Sequence, residues 1–91
     1  MINKKSILIL KVNSVGLNPS QVGKKIVITK DVWGINILGD MSYFVQSGQE
    51  GVLTGVSFET QMDCSLKELF HEMKIQGIRL SVTSEYFREI S

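Results

Sequence analysis

Residues 65–83 read SLKELFHEMKIQGIRLSVT, and the architecture turns on whether this stretch begins as a helix or as a strand. Leu66, Leu69, Phe70 and Met73 fall at i, i+3, i+4 and i+7, the stripe of an amphipathic helix. Ser65 and Glu68 have the spacing of a capping box, and Gly77 supplies a C-terminal stop. The spacing therefore predicts one helix over about 65–76. Beyond Gly77 the pattern changes period. Ile78, Leu80 and Val82 alternate with Arg79, Ser81 and Thr83, which is the signature of a half-buried strand. The tail SEYFREI, 84–90, reads as a last helical turn or a short strand with Phe87 and Ile90 turned inward.

Upstream the chain reads as short strands. Ser6 to Asn13 (SILILKVN) is aliphatic enough for a strand buried on both faces. SVGLNPSQVG, 14–23, gathers the residues that set turns. Lys24 to Lys30 (KKIVITK) is a second strand whose terminal lysines discourage edge aggregation. Asp31 to Gly34 is expected to turn, Ile35 to Leu38 to form a short strand, Gly39-Asp40 to turn again, and Met41 to Gln46 to extend. Val52 to Glu59 alternates with period two.

Between the last two strands lies FVQSGQEGVLTGVSF, 44–58, with glycines at 48, 51 and 55. A phosphate-binding loop needs a strand before it and a helix after it, together with a lysine or an exposed helix N-terminus. Here the flanks are strands and Glu50 would repel phosphate. The glycines instead predict a corner, a hairpin of three to four residues with one glycine at positive φ. Gly55 is expected to mark a bulge or bend within the following strand.

These elements make a mainly β protein. The expectation is a single domain over residues 1–91, a small antiparallel barrel or strongly bent sheet of five to six strands, with the helix before the last long strand. The VGKKIVIT entry strand, the G-x-x-G-V hairpin and the closing strand resemble an SH3-like barrel at the level of the fold, over about residues 20–90. An OB-like barrel is the alternative, because it too places a helix between late strands.

Composition narrows the function classes. The chain has 91 residues, 43% of them hydrophobic and 21% charged, which is ordinary for a soluble globular protein. One cysteine, Cys64, excludes an intrachain disulfide. The apolar run Ile7 to Leu10 is too short for a signal sequence or a membrane span, so a cytoplasmic protein with no membrane contact is expected. The net charge of +1 hides a split: residues 1–30 carry six lysines and no acid, and the rest carries four bases against nine acids. Pairing of N-terminal with C-terminal strands would mix these charges on the surface.

Chemistry is sparse. One cysteine and one histidine cannot build a structural zinc site, and no cofactor motif is present. On a continuous helix, Cys64 and His71 would lie about 10.5 Å apart along the axis, too far for a nucleophile and its base. Cys64 instead fits a hydrophobic staple with Leu69, and His71 a surface position beside Glu68 and Glu72. No spacing sets two carboxylates across a cleft, and no nucleophile elbow occurs. The expectation is a protein that is not an enzyme.

What remains is binding. Trp33, with Tyr43 and Phe44 nearby in sequence, is a candidate aromatic contact. Lys24 and Lys25, with Lys4, Lys5 and Lys30, are a candidate basic patch. The favoured reading is a non-catalytic binding module acting through a protein partner or self-association. Nucleic-acid binding through the lysines and aromatics is the first alternative, and an accessory subunit of a larger enzyme is the second.

Overall fold

The computed structural model describes residues 9–37, 41–62 and 66–90. They form a mostly β protein in which an antiparallel sheet curls into a half-barrel. The strands are β1 (Ile9–Leu17), β2 (Lys25–Ile28), β3 (Val32–Asn36), β4 (Met41–Val45), β5 (Glu50–Met62), β6 (Leu66–Ile75), β7 (Ile78–Thr83) and β8 (Phe87–Glu89). Their order across the sheet is β4-β3-β7-β6-β5-β2-β8, with β1 also paired to β5.

The mainly β fold and its bent sheet agree with the sequence reading, but the helix over 65–76 does not form. Its residues are β6, a strand between β5 on one side and β7 on the other. The helical stripe is dissolved by pleating. Phe70 faces one side with Phe58 and Ile35, and Met73 faces the other with Leu53 and Leu80. A strand covered on both faces buries residues without regard to a helical period, and two sheet partners outweigh local propensity. Cys64 and Ser65, expected as staple and cap, lie outside the described residues.

Gly77 ends β6 as the second residue of a turn, not as a helix stop. Gln76 and Gly77 have φ of 52° and 79°, and Ile75 pairs with Ile78 across them. Two successive positive φ values make the type I′ connection that matches strand twist. The strand 78–83 follows as expected, and the tail delivers both alternatives in turn, a 3₁₀ turn at Ser84–Tyr86 and then β8.

Among the described residues eight strands stand in place of the expected five to six. Asp31 to Gly34 does not turn, because β3 begins at Val32 and pairs with β4 from Val32–Val45 to Asn36–Met41. Gly34 is in this strand because a Cβ there would run into the Leu80 side chain. β1 runs past the expected end at Asn13 to Leu17, and Val12 and Asn13 are exposed rather than buried, while residues 6–8 of the expected strand lie outside the described residues. β2 and β4 fall where the sequence placed them.

Residues 46–49 are a corner, with Gly48 at φ 96°, but not a hairpin. Among the described residues β4 pairs only with β3, and the corner instead bonds to β2. The Gly48 N–H donates to the Ile28 carbonyl at 2.7 Å, and the Ile28 N–H to the Gln49 carbonyl at 2.8 Å. Gly55 is the expected bulge. Between Leu53 and Ser57 the register against β6 slips, and Gly55 has φ 87°. One edge of β5 is thereby divided: before the bulge it pairs with β2, and after it with β1. A Cβ at Gly55 would meet the Asn18 carbonyl at 2.9 Å, so this position needs glycine on two counts.

Two apolar clusters result. The concave face holds Ile26, Ile28, Leu53, Met73, Leu80 and Val82, with Phe87 and Tyr43 packed against them. The opposite face holds Ile35, Ile37, Phe58 and Phe70. Glu72 is buried between strands and is held there: the Thr54 hydroxyl donates to its carboxylate at 2.6 Å, and Arg79 lies 3.9 Å away. Among the described residues no helix is long and apolar enough to cross a membrane.

Candidate functional site

Strand pairing fixes where the surface opens. β6 and β7 are paired without a break from Phe70–Thr83 to Ile75–Ile78. On its other side β7 meets β3 through one registered pair among the described residues, Ile35 with Ser81. From that pair the strands splay apart, β3 toward Asp31 and β7 toward Thr83. The space between them is a slot of about 340 Å³, lined by Trp33, Phe70, Thr83, Tyr86, Asp31 and Glu68 among others. That volume lies at the small end of the range for ligand pockets.

Trp33 links this slot to the sheet edge. It is half-buried, and its ring meets Phe44 of β4 edge to face, with centroids 5.6 Å apart. Phe44 is itself 44% exposed and Met41 is 55% exposed. Their strand, MSYFV, has no charge and no proline, the two devices that commonly blunt a free edge. Tyr43 points the other way. It packs on the concave core, and its hydroxyl lies 3.6 Å from the Met41 sulfur. Of the sequence candidates, Trp33 and Phe44 therefore share a surface, and Tyr43 supports it from behind.

Lys24 and Lys25 lie elsewhere in the sheet. Lys24 precedes β2 and forms an ion pair with Glu89 of β8 at 3.1 Å, and Lys25 is exposed on β2. In strand order β2 is separated from β3 by β5, β6 and β7. Lys30 places its ammonium 5.4 Å from the centre of the Tyr86 ring. N-terminal lysines thus meet C-terminal partners, as charge mixing requires. Lys4 and Lys5 lie outside the described residues.

Sequence reasoning missed a second cleft. His71, expected on an exposed helix face, is half-buried on β6, and its Nδ1 lies 3.2 Å from the Ser57 hydroxyl. Phe87 packs edge-on against the imidazole at 5.7 Å. Burial holds the His71 pKa below its ordinary value of 6.5, which keeps the ring neutral. These residues line a hollow of about 460 Å³ with Asn18, Gln21 and Ser84. A hydroxyl beside an imidazole supplies two of the three members of a catalytic triad, but no carboxylate among the described residues orients the imidazole from behind. The signal was hidden because Ser57 and His71 meet only if 66–75 is a strand. No three of His, Cys, Asp and Glu gather at a metal-binding spacing among the described residues.

Comparison of the chain with known proteins found no matching family model, no matching curated protein and no matching solved structure.

Proposed function

We propose that this protein is a non-catalytic binding module, a small SH3-like barrel that works in the cytoplasm through protein–protein contact. The observation that carries the reading is the β4 edge: five uncharged residues, with Phe44 exposed against Trp33 on one face and Met41 exposed on the other. An extended segment laid along such an edge gains backbone hydrogen bonds, and the aromatic pair supplies a side-chain anchor. A partner protein or the same strand of a second copy satisfies these requirements equally. Self-association by β4 against β4 would be isologous, each copy offering the same edge to the other.

Nucleic-acid binding has less support, because Lys24 is engaged by Glu89 and three strands separate β2 from the aromatic pair in sheet order. Phe44→Lys is the direct test. A lysine on this edge leaves the fold intact by circular dichroism and removes association in sedimentation or pull-down from the native cells. Retained association would discard the edge as the contact.

A further inference from the structure

The slot between β3 and β7 has a chemistry that the edge does not need. Three aromatic side chains, Trp33, Phe70 and Tyr86, contribute to its wall, and two carboxylates, Asp31 and Glu68, stand at it. Asp31 accepts one hydrogen bond, from the Ser47 N–H at 2.7 Å. Neither acid has an ion-pair partner among the described residues. Aromatic faces attract cations through their quadrupole, most strongly when the cation is weakly hydrated. The chain already sets one cation on one of these rings, since the Lys30 ammonium lies over Tyr86. An anion would meet two carboxylates here, and a neutral apolar ligand would make no use of them.

We infer that this slot binds an organic ammonium group, of the quaternary or multiply methylated class. A methylated head matches aromatic walls because it brings charge without the hydration shell of a bare ammonium. Asp31 and Glu68 supply the counter-charge at a distance that needs no hydrogen bond. The inference deepens the proposed contact, since the slot shares Trp33 with the β4 edge. The head group belongs either to a modified side chain of the partner or to a free small molecule.

Trp33 is the only tryptophan in the chain, so its fluorescence reports the slot alone. The protein is titrated with tetramethylammonium chloride against sodium chloride of equal ionic strength, and with 3,3-dimethylbutan-1-ol as a neutral mimic of choline. The expected result is a saturable change with tetramethylammonium, none with sodium, and little with the alcohol. Glu68→Gln and Tyr86→Leu, which both keep the reporter, each weaken the response about three- to tenfold. A second titration compares choline with a trimethyl-lysine peptide. Tighter peptide binding assigns the head group to a partner, and tighter choline binding assigns it to a small molecule. A response that follows ionic strength alone, or equal binding of the neutral alcohol, would overturn the inference. Met41→Lys, on the face of β4 turned away from Trp33, separates the two readings: it removes protein association along the edge and leaves the tetramethylammonium response unchanged.

Discussion

β7 has two unlike sides. Toward β6 it is paired from end to end across a tight I′ turn, and its Leu80 and Val82 are almost fully buried in the concave core. Toward β3 it holds through Ile35 and Ser81 among the described residues, then opens into the slot beside Trp33. The first side binds the fold together. The second leaves aromatic and acidic groups at a surface whose shape the first side fixes. On the proposed reading, stability and recognition are divided across one strand, and the division can be attacked from either side.

The largest effect is expected on the closed side. Met73→Ala, on β6 opposite Leu80 and fully buried, should cost about 2–5 kcal/mol, read as a fall in the denaturant midpoint, because the core around it cannot collapse fully into the void. Trp33→Ala on the open side should cost less, about 1–2 kcal/mol for a half-buried ring and its contact with Phe44, while abolishing association. Similar losses at the two positions would erase the distinction between the sides.

A smaller effect should come from His71, on the closed side of the sheet. Its pKa is lowered by burial, so the unfolded chain takes up a proton that the folded chain resists. Stability is therefore unaffected well above pH 6.5 and falls as pH drops through that value toward the lower folded-state pKa. Denaturant titrations at a series of pH values should show this slope in the native protein and lose it in His71→Gln. A slope that survives the substitution would place the acid sensitivity among the carboxylates.

The smallest effect is a gain. Gln76 adopts φ 52°, a conformation that costs a β-carbon-bearing residue about 1 kcal/mol and that asparagine tolerates better. Gln76→Asn should raise stability by about 0.5 kcal/mol, measurable as a small increase in Tm. No gain would mean that the I′ turn contributes less to the closed side than its geometry implies.

The sequence made these two sides unequally legible. Turn chemistry could be read locally. Gly48 and Gly55 marked a corner and a bulge because positive φ belongs to the residue itself. Alternation could be read wherever one face is wet, as in 78–83. The stretch 65–77 misled because both faces of β6 are covered near Phe70 and Met73, and double burial imitates a helical stripe. Gln-Gly before an alternating strand was the one local sign of a hairpin there. The slot was out of reach for a related reason. It brings Trp33 to Phe70, Tyr86 and Glu68, which meet only once β7 is flanked by β6 and β3. Trp33 stood out as a residue type, but its acidic neighbours were set by strand order.

The central claim is that the open side, through β4 and Trp33, seats another chain. Native mass spectrometry of tagged protein purified gently from its own cells, native and Phe44→Lys in parallel, tests it most directly. The account predicts a complex of defined mass, with a partner or a second copy, that disappears in the variant. A bare monomer in both samples, or a complex that survives Phe44→Lys, would contradict it.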